Sequence, residues 1–234
     1  EAEDVSILNL ARSQILIAEA KQEFSTLKKA VGEAALSEME QLELQIAKAE
    51  TSIVKKEDKK PEVFYDLQLI KKDAKAQKIY KQDNMAALLN SAAGEVYVLD
   101  LEKKSVDTVR KKELVGATSV TLTTNYDPIV YNKSIGIILV RDDNAKTVIE
   151  KDEEWGELTD MATYNNNLYI VDSQRDELYK YSVTQDGYST KTPYIKEGQG
   201  VEMGSGKASV AIDSALYVSS GVNVFKFISG IRED

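Results

Sequence analysis

Apolar positions along this chain recur at two different periods, and the change falls near residue 60. From residue 4 to 54 they return every three or four positions. Phe24, Leu27, Val31 and Ala35 make one stripe, and Leu42, Ile46, Ala49 and Ile53 resume it. That spacing puts them on one helical face. Ala, Glu, Lys, Gln and Leu dominate the span, which has no proline and a single glycine, Gly32. These residue types lose little on entering a helix. The interruption at Val31-Gly32-Glu33 favours two antiparallel helices, broken between Gly32 and Ser37, that bury their own stripe. A single coiled-coil arm is the alternative and would need a partner chain to cover it. Residues 55–61, KKEDKKP, are a charged break, and Pro61 disfavours helix in the residue before it. The predicted domains are a helical hairpin or coiled-coil arm over residues 1–58 and a repeat domain over residues 59–234.

From Val63 onward the period is two, the pattern of half-buried strands. Phe64, Leu67, Leu69 and Ile70 predict a leading strand. Residues 86–101, AALLNSAAGEVYVLDL, can be laid over residues 168–183, LYIVDSQRDELYKYSV, without a gap. Each is an apolar strand, a polar tight turn and a second strand. Four repeats follow: Met85–Val109, Ser119–Ile149, Leu158–Tyr194 and one beginning near Ala208. Tyr97, Tyr179 and Phe225 occupy equivalent positions in three of them. Ala93-Gly94, Asn165-Asn166, Asp186-Gly187 and Ser220-Gly221 supply corners that accept positive φ. A hairpin recurring about every 40 residues is the signature of a β-propeller blade. The fold predicted is mainly β: a helical hairpin or coiled coil followed by a partial or small β-propeller of about four repeats. The chain stops at Ile231–Asp234 after a strand pair, with no evident closing strand, which reads as an arc of a larger ring. An open arc leaves inter-blade faces and strand edges exposed, and those invite another chain.

Composition narrows the chemistry. The net charge of −9 repels polyanions, so nucleic acid is not an expected partner. The lysines from Lys55 to Lys81 read as a solvated linker, or as a surface that meets anionic lipid or an acidic partner. No apolar run of membrane-spanning length occurs, so no direct membrane insertion is expected. With no cysteine, disulfides and thiolate metal sites are excluded. With no histidine, the usual general base and every Ser-His arrangement are excluded too. No catalytic residue, metal ligand or cofactor site is assigned.

Weaker candidates remain. The Gly-rich segment Gly198–Gly206 has the wrong glycine spacing for a phosphate loop and reads as a flexible inter-blade connection. Asp142-Asp143-Asn144 reads as an acidic hairpin tip and lacks the Gly and distal Glu of a calcium loop. Asp100 and Asp172 lie near strand ends and read as turn caps. Asn132-Lys133-Ser134 matches a glycosylation sequon. Trp155, the only tryptophan, lies in a loop ahead of the third repeat. It reads as a wedge between blades or as a contact for a partner. Trp155, Asp142 and Asp143 are the candidate partner-binding residues.

Three stretches carry a family resemblance: Phe64-Tyr-Asp-Leu-Gln-Leu-Ile-Lys71, Gly94-Glu-Val-Tyr-Val-Leu-Asp-Leu101, and Trp155-Gly-Glu-Leu-Thr-Asp-Met-Ala162 with Asn167-Leu-Tyr-Ile-Val-Asp172. Over most of its length the chain resembles the C-terminal helical and propeller-like region of proteins from candidate phyla radiation bacteria. Those proteins place a PPM-type phosphatase-like domain and a membrane segment ahead of it. The resemblance implies a sensing or scaffolding module on the extracytoplasmic side of a bacterial membrane, within a longer protein. It carries no phosphatase activity over, because the metal-binding Asp clusters of that domain have no counterpart here. The function expected is non-catalytic: binding, sensing or scaffolding, with a protein partner or self-association. The alternatives are an architectural oligomerisation module and a carboxylate-based enzyme in a propeller channel.

Overall fold

A computed structural model describes residues 10–30, 36–54, 60–204 and 206–233. The predicted helix break, with Val31 and Ala35 of the stripe, and most of the charged linker lie outside the described residues. The chain divides into two compact units between Phe64 and Tyr65.

The first unit holds helices α1 (Leu10–Ala30) and α2 (Leu36–Val54). Lys21 pairs with Glu50 at 2.8 Å and Lys28 with Glu43 at 3.1 Å. Seven residues forward on α1 match seven back on α2, so the helices lie antiparallel, as the hairpin reading expects. Ile17, Met39 and Ile53 are buried, and Phe24, Ile46 and Ala49 are half-buried. Leu27 and Leu42 of the predicted stripe are exposed. Because the two ion pairs face water, they set register more than stability. No described helix is long and apolar enough to cross a membrane.

The second unit is a β-propeller of four blades, each a four-stranded antiparallel meander made from one continuous run of chain. The first blade is β1 (Lys78–Gln82), β2 (Met85–Asn90), β3 (Glu95–Asp100) and β4 (Val106–Arg110). The second is β5 (Ser119–Leu122), β6 (Pro128–Asn132), β7 (Gly136–Arg141) and β8 (Asn144–Glu150). The third is β9 (Leu158–Tyr164), β10 (Asn167–Asp172), β11 (Glu177–Tyr181) and β12 (Thr192–Pro193). The fourth is β13 (Ser209–Asp213), β14 (Ala215–Ser220), β15 (Asn223–Ile228) and β16 (Ile231–Glu233). The gapless superposition of residues 86–101 on 168–183 holds strand for strand. Tyr97 pairs with Leu88, Tyr179 with Ile170 and Phe225 with Val218, each at the third position of a third strand.

One expectation is corrected. Phe64–Ile70 forms no strand. Leu67–Leu69 is a 3-10 turn whose Asp66 Oδ1 accepts the Gln68 N–H at 2.9 Å, so the backbone is satisfied locally. The true first strand, β1, starts eight residues beyond Ile70. At the other end, Ile231–Glu233 is the outer strand of the last sheet. The ring is therefore not closed by a strand shared between the two ends.

Inner strands β1, β5, β9 and β13 adjoin one another in that order. Blades meet through three apolar cores. Leu89, Val96 and Val98 face Val120, Leu122 and Ile138 between the first and second blades. Ile129 and Ile137 face Met161 and Ile170 between the second and third. Tyr169, Val171 and Leu178 face Val210, Leu216 and Phe227 between the third and fourth. Each fully buried aliphatic side chain contributes about 1.5–3 kcal/mol. Among the described residues no core joins the fourth blade to the first, although Tyr80 reaches the last core from the first blade.

Candidate functional site

Polar side chains tie the inner strands together along the axis. Lys78, Ser119 and Asp160 follow one another at the repeat length and fall on β1, β5 and β9. Asp160 accepts the Ser119 hydroxyl at 3.2 Å and the Val210 N–H at 3.0 Å, so one carboxylate joins three blades. Burial pushes its carboxyl above the usual range, against those two hydrogen bonds and the Lys78 charge. Toward the other end, the Thr163 hydroxyl sits among the Leu122 carbonyl, the Thr121 hydroxyl at 3.1 Å and Gln82 Oε1 at 3.3 Å. Gln82 Nε2 donates to the Thr123 carbonyl at 3.1 Å, and the Tyr80 hydroxyl donates to the Thr163 carbonyl at 3.3 Å.

That end opens onto the face formed by the β1–β2, β5–β6, β9–β10 and β7–β8 turns. A recess of about 560 Å³ marks the axial mouth, with Gln82, Asp83, Thr124, Asn165 and Asp213 around it. Next to it, a cleft of about 770 Å³ runs between the second and third blades. Asn166 lines both recesses, and its Oδ1 accepts the Thr124 N–H at 2.9 Å and hydroxyl at 3.0 Å. One wall of the cleft is β7 and β8, with Arg141, Asn144, Lys146 and Thr147. The other is the Val183–Tyr188 loop, which is pinned by the Val183–Tyr188 bridge, by Thr184 N–H to the Gly187 carbonyl at 2.8 Å and by Val183 N–H to Asn167 Oδ1 at 3.0 Å. Both walls are therefore fixed in place before any ligand arrives.

The electrostatics of the cleft balance. Arg141 Nε donates to Asp127 Oδ2 at 2.7 Å. Arg141 and Lys146 on the lining face Asp142 and Asp186. Burial pushes the Tyr188 phenol up to about 12, with Arg141 pulling the other way, so at neutral pH it is an uncharged hydroxyl. The remaining polar lining is amide and hydroxyl, groups that both donate and accept. Among the described residues no cluster of His, Cys, Asp and Glu of the size a metal ion needs is present.

The three predicted contact residues go to different places. Asp142 and Asp143 form the two-residue β7–β8 turn with φ of 48° and 57°, the geometry that matches strand twist. Asp142 lines the cleft, while Asp143 Oδ1 pairs with Lys111 Nζ at 2.7 Å. Trp155 lies between blades. Its indole Nε1–H donates to the Tyr181 hydroxyl at 2.9 Å, and its ring meets Tyr131 edge-on at 5.9 Å.

Other readings resolve as well. Asp100 caps its own turn, accepting the Glu102 and Lys103 N–H groups at 3.0 and 2.9 Å. Asp172 is fully buried and reaches across to a different loop, accepting the Gly156 and Glu157 N–H groups at 2.7 and 3.0 Å. Asn132 of the sequon is buried and donates its amide to the Glu113 and Val115 carbonyls, both at 2.9 Å, so that nitrogen is already engaged. The described part of this connection, Gly198–Gly204, is not loose: Val201 and Met203 fill the last core, and the Met203 N–H donates to Asp176 Oδ1 at 2.7 Å.

No protein-family model and no curated protein matches this chain. Among solved structures it is similar to the surface component PorZ of the Porphyromonas gingivalis type-IX secretion system, with 10% identity and a TM-score of 0.45 over 66% of this chain and 20% of that one. A chain of a nidogen/laminin complex gives 13% identity and 0.48 over 64% of this chain and 59% of that one. An auxiliary nutrient binding protein from Bacteroides thetaiotaomicron gives 14% and 0.46 over 64% of this chain and 37% of that one. The chain thus spans less than two thirds of each of these proteins.

Proposed function

We propose that this chain is a non-catalytic binding and scaffolding module whose ligand, a protein segment or other polar molecule, seats in the cleft between the second and third blades. The observation that supports this is the prebuilt, charge-balanced cleft, continuous with the axial mouth at Asn166. Its lining offers hydrogen-bonding groups on rigid walls, the arrangement expected of a recognition site. Asp160, the axial carboxylate that a hydrolytic reading would need, has its oxygens engaged by Ser119 and Val210. The resemblance stated above supports placing the module on the extracytoplasmic side of a bacterial membrane, coupled to a phosphatase-like domain.

The test uses the full chain against a displayed random-peptide library and a glycan array. Asn144→Lys and Lys146→Glu, both on exposed positions of β8, should abolish binding of any probe enriched by the wild type, while Lys103→Glu on the first blade should not. Enriched probes that bind all three variants equally would refute this location. Turnover of a probe by the wild type, lost in Asp160→Asn, would replace the reading with an enzymatic one.

A further inference from the structure

The cleft between the second and third blades runs beside a sheet edge rather than over a sheet face. Asn144, Ala145, Lys146, Thr147 and Val148 are consecutive on β8, and all of them line it. Successive strand residues point to opposite faces, so a space bordered by every one of them lies alongside the strand. β8 pairs only with β7. At seven residues it is the longest outer strand, against five, two and three in β4, β12 and β16.

The ladder fixes which backbone groups meet this space. The two-residue turn at Asp142-Asp143 makes Arg141 and Asn144 a hydrogen-bonded pair. Hydrogen-bonded and open pairs then alternate, so Ala145 opposite Val140 and Thr147 opposite Ile138 are open pairs. The N–H and C=O groups of Ala145 and Thr147 therefore turn away from β7 and into the cleft, about 6.8 Å apart along the strand. Among the described residues the facing loop sends no backbone hydrogen bond to them, because Val183 pairs with Tyr188 and Thr184 with Gly187 inside that loop. The open run ends at Val148, which the register skips, and there a Cβ at Gly187 would stand 3.9 Å from the Val148 carbonyl oxygen.

Resting on the assignment of this cleft as the binding site, we propose that its occupant is an extended peptide segment of a partner protein, added to β8 as a fifth strand of the second blade. Main-chain pairing needs donors and acceptors that repeat every second residue along an edge, and Ala145 and Thr147 supply that repeat, which a sugar or a nucleotide does not match. Leu139 and Val148 pack toward the third blade and line the cleft, and so does Val183, 47% exposed. A peptide side chain turned to that side is therefore apolar, and its immediate neighbours point the other way.

The test takes peptides enriched on the full chain from the displayed random-peptide library and synthesises them free. Ala145→Pro removes an N–H that β7 does not use, at an edge position where proline is tolerated. It should weaken binding at least about tenfold. The Asp100 N–H bond to the Ser105 carbonyl sets the same alternation on β4, so Thr108→Pro removes an outward N–H there and should leave binding unchanged. Circular dichroism melting establishes that both variants remain folded. N-methylation of the peptide, one residue at a time, needs no protein variant and decides the matter if Ala145→Pro unfolds: affinity should fall at two positions separated by a tolerant one. Peptides sensitive to Asn144→Lys yet indifferent to Ala145→Pro, or N-methyl losses without that two-residue period, overturn the strand addition and leave the cleft as the site. Enrichment of glycans alone, or of no probe, overturns the strand addition too. Peptides indifferent to Asn144→Lys and Lys146→Glu as well overturn both readings.

Discussion

Removing the carboxylate of Asp172 should loosen the boundary between the second and third blades. The side chain is fully buried, accepts the Gly156 and Glu157 N–H groups at 2.7 and 3.0 Å, and has Arg175 Nε at 3.8 Å. Asp172→Ala deletes two charge-assisted hydrogen bonds, each worth roughly 1.5–3 kcal/mol when the freed donors stay dry. The 152–157 loop is only partly buried, so water can reach those donors after the change, and the lower figure applies to each. The expected loss is about 3 kcal/mol. Asp172→Asn keeps one acceptor oxygen and turns an amide N–H toward the other donor, so it should lose about half of that or more. The assay is urea unfolding followed by fluorescence of Trp155, the only tryptophan, which neighbours Gly156. In Asp172→Ala the native emission should also shift to the red, because the indole is held against Tyr131 and Tyr181 by that same loop. A change below about 1 kcal/mol with unshifted native emission would refute the assignment of Asp172 as the anchor of this loop.

Asp160→Asn should be no less stable than wild type at neutral pH, while Asp160→Ala loses about 2 kcal/mol because Ser119 and Val210 lose their acceptor. Since burial raises the Asp160 pKa, its penalty is present above that pKa and relieved below it, so the Asn advantage should shrink on acidification in parallel chemical denaturation series. Lys191→Met should destabilise over a broad neutral range, because Lys191 Nζ reaches Asp152 at 2.6 Å and Glu154 at 2.7 Å. The Lys191 hydrogen bond holds Asp152 below its ordinary value, so this contribution is intact above about pH 4 and lost as pH falls through the lowered pKa. Those carboxylates also hold the Lys191 ammonium above its usual value despite its burial, so the gap to wild type should close again only in strong alkali. Gly136→Ala should cost about 3 kcal/mol or more in thermal melting: φ is 117°, and an added Cβ would lie 2.2 Å from the Ile149 carbonyl oxygen. Trp155→Phe should raise the Tyr181 pKa, already about 12, in an ultraviolet pH titration, because the indole N–H donor that lowers it is gone.

The blades were legible because the second and third strands of the first three are largely buried on both faces and alternate around an aromatic. The 82-residue offset between residues 86–101 and 168–183 therefore survives as strand on strand. Strand β1 was not legible. Lys78, Lys81 and the exposed Ile79 carry the pattern of a solvated linker, and only the ladder with β2 makes KIYKQ a strand. Phe64–Ile70 misled in the opposite sense, since apolar residues at strand spacing stay exposed when no ladder partner is near. The axial threonines and Asp160 left no local signal, as single polar residues in strands rarely do. The equal spacing of Lys78, Ser119 and Asp160 was the clue that could have placed them at one level of the axis. Trp155 shows how far a lone aromatic can be read: the residue type named an anchor, and only the packing against Tyr131 and Tyr181 showed what it anchors.

Each blade is one uninterrupted segment, and among the described residues it shares its apolar core with its sequence neighbours, apart from Tyr80 of the first blade, which reaches the core between the third and fourth. The array is thus close to additive, like beads bonded to the bead before and the bead after, with Tyr80 and Gln82 adding a tie from the first bead to Thr163 of the third. The terminal unit has a single such bond and the middle units two, so amide hydrogen exchange should begin at β13–β16. By the same logic, duplicating or deleting one unit of about 40 residues at that end alters one junction and leaves the rest of the molecule intact.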